Sequence, residues 1–126
     1  MILIDTDIAI DLLRGQDAAF RWFAALPEIV TMTGYSAMEL LNGCQNSKDL
    51  RHIQGFINDI SLIWPSDRAC TAGLEAFESV HLKNAIGILD MLIAQAAIEH
   101  DTPLHTLNHK HYKIVPHLLT VQPYKR

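Results

Sequence analysis

Met1-Ile2-Leu3-Ile4 is a four-residue apolar run, rich in β-branched side chains and closed by Asp5, and it predicts a buried strand. Polar and apolar positions then recur at helical spacing over Ile8–Arg14, which Gly15 stops, and over Ala18–Leu26, which Asp17 can cap and Pro27 ends. Ile29–Met32 is a second strand, and Ser36 opens a helix to about Asn42 with Gly43 at its end. A further helix starts at Ser47, with Leu50, Ile53, Phe56 and Ile57 on one stripe. Ile60–Ile63 reads as the third strand, broken by Pro65. Ser66 or Asp67 caps a long helix to about Val80 that carries Cys70, Leu74 and Phe77 on one face. Asn84–Gly87 reads as a loop before a strongly apolar helix, Ile88–His100. Strands at Leu104–Leu107 and Leu118–Val121, flanking a turn of helix at His109–Tyr112, finish the chain.

Strands alternating with helices through short connections predict an α/β fold with a parallel sheet covered on both faces. More helices than strands means that some helices pack as hairpins beside the sheet. At 126 residues the chain suits one domain, residues 1–126. No apolar run approaches the roughly 20 residues of a membrane helix, and the four-residue apolar start is too short for a signal peptide. Cys44 and Cys70 match no metal spacing and read as buried, reduced thiols of a cytosolic protein.

The formal net charge of −4 argues against wholesale nucleic-acid binding, but the charge is uneven. Residues 102–126 carry Lys110, Lys113, Lys125 and Arg126 and no acid; the remainder holds 6 basic and 14 acidic residues. An acidic body with a basic end suits carboxylate chemistry beside a surface that attracts phosphate, with Lys110 and Lys113 the candidates for that contact.

The acids fall where such chemistry needs them. Asp5 ends the first strand, and in open α/β sheets the crevice beyond the strand C-termini is the ligand site. Glu39 lies early in the helix after strand two, Asp90 opens the apolar helix before strand four, and Asn108 ends that strand. Two like charges 4 Å apart cost about 4 kcal/mol at an effective dielectric near 20, so a hard divalent cation is the natural occupant. Oxygen-only donors suit Mg²⁺ or Mn²⁺. Each residue also has a purely structural explanation. Thr6-Asp7 can cap a helix, Ser36-Ala-Met-Glu39 has capping-box spacing, Asp90 can complement a helix dipole, and Asn108 can be a left-handed turn residue.

Ile4-Asp5-Thr6-Asp7, Ser36-Ala37-Met38-Glu39-Leu40 with Gly43, Leu89-Asp90-Met91-Leu92-Ile93-Ala94, and Leu104-His105-Thr106-Leu107-Asn108 followed by Tyr112 resemble, in order, the motifs of PIN domains. Within these the chain is most similar to VapC-type toxins of toxin–antitoxin pairs. The resemblance implies a three-layer α/β/α fold with a five-stranded parallel sheet, and a cytoplasmic, Mg²⁺- or Mn²⁺-dependent endoribonuclease. By position it implies Asp5, Glu39 and Asp90 as metal ligands, Asn108 as a fourth catalytic position that in many relatives is Asp and in others Asn, and Thr106 as a supporting hydroxyl. Thr6 and Asp7, the latter often Asn or Ser in relatives, read as further supporting polar groups of this chain. It further implies a small antitoxin and a homodimer. Leu12, Leu13, Phe20, Trp22 and Phe23 exceed what two short helices bury, which suits a partner helix in a groove between residues 8–26 and 47–58.

Three other readings compete. Asp5-Thr6-Asp7 is also the opening of haloacid-dehalogenase-type phosphatases, though the later Lys and paired acids of that class have no placement. His105, His109 and His111 could cleave RNA by acid–base chemistry. A PIN fold that binds RNA with little turnover is the third.

Overall fold

A computed structural model describes all residues from Met1 to Arg126. Five parallel strands, β1 (Ile2–Ile4), β2 (Val30–Thr33), β3 (Ser61–Ile63), β4 (Leu104–His105) and β5 (Thr120–Val121), lie in the order β3-β2-β1-β4-β5. The chain builds outward from β1 in one direction through β2 and β3, then returns to build the other side. Right-handed crossovers in opposite directions must lie on opposite faces. Accordingly α1 (Thr6–Leu13), α2 (Asp17–Ala24), α3 (Gly34–Asn42) and α4 (Ser47–Asn58) share a core with Ile4, Val30 and Met32, including Ile8, Ala9, Leu40 and Ile53. On the other face α5 (Asp67–Val80), α6 (Ile88–Glu99) and α7 (His109–Tyr112) pack with Leu3 and Leu104 through Val80, Met91, Ile93, Ala94 and Tyr112. Leu3 and Ile4 are wholly buried on opposite faces, as strand alternation requires. The α/β/α expectation holds, and the extra helices form the pairs α1–α2, α3–α4 and α5–α6.

Several boundaries move for local reasons. α1 begins at Thr6 because Asp5, not Thr6 or Asp7, is its cap: the Thr6 N–H donates to the Asp5 carboxylate at 2.8 Å. α3 begins at Gly34 because Thr33 caps it, accepting from the Ser36 N–H at 3.2 Å. Ser36 is therefore inside the helix, and the capping-box explanation of Glu39 is lost. β4 stops at His105: the Thr106 N–H still donates to the Val121 carbonyl at 3.0 Å, but the Leu107 N–H turns to the Asp7 carboxylate rather than to a neighbouring strand. β3, expected as a covered strand, lies at the sheet edge with Ser61 and Leu62 exposed. Cys44 and Cys70 are free, but half-buried rather than buried.

The end of the chain folds back on α1. Arg126 donates from Nε and Nη2 to the two oxygens of Asp11, at 2.9 and 2.8 Å, and the Tyr124 hydroxyl donates to Asp11 at 2.8 Å. Asp11 is buried, which opposes its charge, yet Arg126 and Tyr124 outweigh that and hold its pKa below the usual value. Arg126, read from the sequence as part of a phosphate-attracting end, is instead committed to an internal pair. Arg126→Ala leaves that carboxylate with Tyr124 alone. Because the Arg side chain is over half exposed, the expected loss is modest, about 1–2 kcal/mol in urea unfolding at pH 7. A loss below about 0.3 kcal/mol would show the clamp to be inconsequential.

Candidate active site

The sheet reverses its order of growth beside β1, and Asp5 stands at the C-terminal end of that strand, where α/β ligand sites form. Asp5 is only 5% exposed. One carboxylate oxygen accepts from the Thr6 N–H at 2.8 Å and from the Tyr112 hydroxyl at 3.1 Å; the other accepts from the Thr106 hydroxyl at 2.9 Å. Burial, then the nearby Asp7 charge, with a smaller contribution from Asp90, raises its pKa from 3.8 to about 7 despite those donors.

Asp90 lies in the first turn of α6. Its Oδ1 is 3.3 Å from the same Tyr112 hydroxyl, and its Oδ2 is 2.9 Å from His111 Nε2. Tyr112 is 1% exposed, and burial, followed by the charges of Asp5 and Asp90, drives its pKa far upward, so it stays a neutral donor. A phenol has one proton. It faces two carboxylates, so one of them meets oxygen lone pairs unless it gains a proton or a cation. That deficit is independent of any titration argument.

Glu39 approaches from α3. The Thr6 hydroxyl lies 2.8 Å from Glu39 Oε1 and 2.9 Å from the wholly buried Ser36 Oγ. With a single proton, Thr6 donates to the stronger acceptor, the carboxylate, and accepts from Ser36. Thr6 thus couples Asp5, through its backbone, to Glu39, through its side chain. Asp7 has a different task. It accepts from the Ile8 N–H at 2.8 Å and the Leu107 N–H at 2.9 Å, fastening the loop after β4 onto α1. Burial raises its pKa, and the backbone donors oppose that. Thr106 stands between Asp5 and Asp7, nearer Asp5, and accepts from the Asn108 N–H at 3.0 Å.

Asp5, Glu39 and Asp90 therefore belong to one connected network at one sheet edge, with Thr6, Asp7 and Thr106 as its struts. Asn108 stands at the same edge but caps α7 without a side-chain bond. Its φ of −106° also removes the left-handed-turn explanation. Lys110 and Lys113 are exposed on and just beyond α7. Three members escaped sequence reading: Tyr112 as the bridge, Ser36 as the anchor of Thr6, and His111 as the partner of Asp90. The histidines do not converge. His111 meets Asp90, His109 Nδ1 meets Thr120 Oγ1 at 2.6 Å, and His105 packs beside Trp22 with its buried Nδ1 unpaired. The histidine acid–base expectation fails on that divergence.

As they stand, no three acidic, histidine or cysteine side chains form a ready-made metal group. The donor chemistry nevertheless fits a hard divalent cation. The network offers carboxylate oxygens, its most buried acid lacks a counter-cation, and its one bridging proton is short for two acids.

The PIN domain family model matches residues 2–115. The chain belongs to the PIN domain family. That assignment removes the haloacid-dehalogenase-type reading of Asp5-Thr6-Asp7. This PIN domain is 34% identical over 124 residues to ribonuclease VapC19 of Mycobacterium tuberculosis, across 94% of its own length and 97% of the relative's. Its fold is similar to the structure of VapBC2 from Rickettsia felis bound to a promoter DNA fragment, with a TM-score of 0.82 at 22% identity over 96% of this chain and 98% of that one. It is also similar to VapBC-1 from nontypeable Haemophilus influenzae, with a TM-score of 0.80 at 24% identity over 98% of each chain. No helix of this PIN domain is long and apolar enough to cross a membrane.

Proposed function

We propose that this PIN domain is a metal-dependent endoribonuclease, the toxin of a VapBC-type pair, hydrolysing RNA phosphodiesters at the Asp5–Glu39–Asp90 edge. The observation that carries the metal site is the single Tyr112 proton facing two carboxylates, one of them the buried Asp5. Asp5, Asp90 and Glu39 would hold Mg²⁺ or Mn²⁺. When bound, such an ion supplies Lewis acidity at the phosphate and a more acidic water. The chain's own residues do the remaining work. Thr106 and Tyr112 fix the two oxygens of Asp5, Thr6 and Ser36 orient Glu39, and Asp7 keeps the α7 segment against α1. Asn108 makes no side-chain bond in the network, so its lack of charge leaves the three-carboxylate set intact.

Attack by water makes no use of the 2′-hydroxyl, so the preference for RNA rests on the kinship with ribonuclease VapC19. A cytoplasmic location goes with that substrate. Lys110 and Lys113, exposed on and just beyond the helix that carries His111 and Tyr112, would meet backbone phosphates. Lys110→Ala/Lys113→Ala should weaken RNA binding alike for all sequences and reduce the salt slope of log K by about 1–2. An unchanged slope would remove them from the interface.

A small antitoxin and a second copy of the chain are the partners that go with this reading. Between α1 and α4 runs a groove of about 330 Å³, lined in part by Ile10, Leu13, Leu40 and Ile53, which suits an amphipathic antitoxin helix. Leu74 and Ile88 are exposed on the α5–α6 face, which suits a second copy.

The test is cleavage of an end-labelled RNA oligonucleotide with Mg²⁺ or Mn²⁺. Cleavage that stops with EDTA supports the proposal. Cleavage that persists in excess EDTA overturns the metal site.

A further inference from the structure

Resting on the ribonuclease reading, we infer that Trp64 is a stacking platform for an RNA base near the scissile phosphate. The strand register sets its place. β1 pairs with β2 as Leu3↔Thr31, and β2 with β3 as Thr33↔Ile63, so Asp5, Thr33 and Ile63 align across the C-terminal edge of the sheet. Trp64 is one residue further along, two strands from Asp5. At about 4.8 Å per strand the separation is roughly 10 Å, about two nucleotides of an extended single strand.

The indole is held against Gly34 and Tyr35. A Cβ built on Gly34 would lie 2.0, 2.2 and 2.3 Å from three consecutive atoms of the six-membered ring. Near-equal distances to neighbouring ring atoms mean that the ring lies face-on over Gly34. An edge approach would bring one atom much closer than its neighbours. Tyr35 meets the indole in a T-shaped contact, centroids 5.2 Å apart at 77°. Trp64 is nonetheless 54% exposed. One face is covered by backbone that only glycine permits, and the exposure comes from the rest of the ring.

This is the arrangement that base stacking needs: a large π-surface already immobilised, on the carboxylate edge, with little ordering left to do on binding. Trp22, the other tryptophan, is spent inside, between His105 and Tyr124. Lys110 and Lys113 lie beyond β4 and Trp64 beyond β3, with Asp5 between them. A strand of RNA crossing this edge would contact phosphate ligands on one side of the reacting phosphate and a stacking surface on the other.

The test uses a mixed-sequence, single-stranded RNA oligonucleotide. Binding is measured in the Asp5→Asn background and cleavage in the otherwise native chain. Trp64→Ala should raise Kd about tenfold, while Trp64→Phe keeps most of the affinity. Gly34→Ala should act like Trp64→Ala, because it displaces the ring without removing it. RNA should quench indole fluorescence, and Trp64→Phe should abolish the quench although Trp22 remains. In cleavage, the Trp64→Ala defect should be larger in KM than in kcat. Unchanged Kd in both Trp64→Ala and Gly34→Ala overturns the inference. So does a change in sedimentation on Trp64→Ala at constant RNA affinity, which would assign the face to a second copy of the chain. RNA binding that depends on Trp64 without any cleavage would retain the platform and reject the ribonuclease; absence of RNA binding rejects both.

Discussion

Asp5→Asn is expected to abolish RNA cleavage, by about a thousandfold or more, and at the same time to stabilise the metal-free fold. Both effects have one cause. In the folded chain the Asp5 carboxyl has a pKa of about 7, against 3.8 ordinarily. Between about pH 4 and 7 the folded state therefore binds more protons than the unfolded state, so stability falls as pH rises through that window and the full penalty is present above it. Its upper bound is about 4 kcal/mol, shared with the coupled acids around it. The asparagine amide keeps the shape and still accepts from Thr6 and Tyr112, but it carries no charge. Urea unfolding in EDTA at pH 8 should show the variant more stable than the native chain, with the difference shrinking toward pH 4. In the native chain, Mg²⁺ or Mn²⁺ at pH 8 should recover the missing stability by mass action. A fully active Asp5→Asn variant would remove the site altogether.

Tyr112→Phe is the second large effect. The ring stays in the core with Val115 and Met91, so packing is preserved. What is lost is the only proton shared by Asp5 and Asp90. Removing hydrogen bonds to charged groups costs about 1.5–3 kcal/mol, and here the two carboxylates also lose the group that spaces them. The destabilisation should be largest above pH 7 in EDTA and should diminish in acid, as Asp5 takes up a proton. Cleavage should fall about 10- to 100-fold, because the oxygens are no longer held at one separation. Unchanged stability at pH 8 together with native single-turnover rates would show that the phenol plays no part.

These positions differ in how far the sequence alone reveals them. Asp5 and Asp90 are conspicuous because each interrupts an apolar run, at a strand end and at the start of a buried helix. Glu39 is ambiguous: its spacing from Ser36 mimics a capping box, and only the placement of the cap at Thr33 exposes its true partner, Thr6. Tyr112 sits in a short, mostly polar helix, where nothing local marks its hydroxyl as facing acids 107 and 22 residues away. The pair between Arg126 and Asp11, 115 residues apart, is invisible for the same reason. Apolar runs, helical spacing and the capping and breaking residues between them located all five strands and seven helices. Their ends were set by side chains that compete for backbone donors: Asp5 at α1, Thr33 at α3, and Asp7 at the end of β4.

The distribution of roles also orders the site energetically. Of the three site carboxylates Asp5 is the most buried and the one that gains most from a counter-cation. Asp90 and Glu39 reach it through one hydroxyl each, Tyr112 and Thr6. Loss of either partner should weaken ion binding, whereas loss of Asp5 should abolish it.

Binding of Mn²⁺ followed by electron paramagnetic resonance at pH 8 examines that claim without relying on turnover. The native chain should take up Mn²⁺ in competition with Mg²⁺, Asp90→Asn should bind it more weakly, and Asp5→Asn should leave the ion free in solution. Equal Mn²⁺ uptake by the native chain and Asp5→Asn would contradict the metal site at β1.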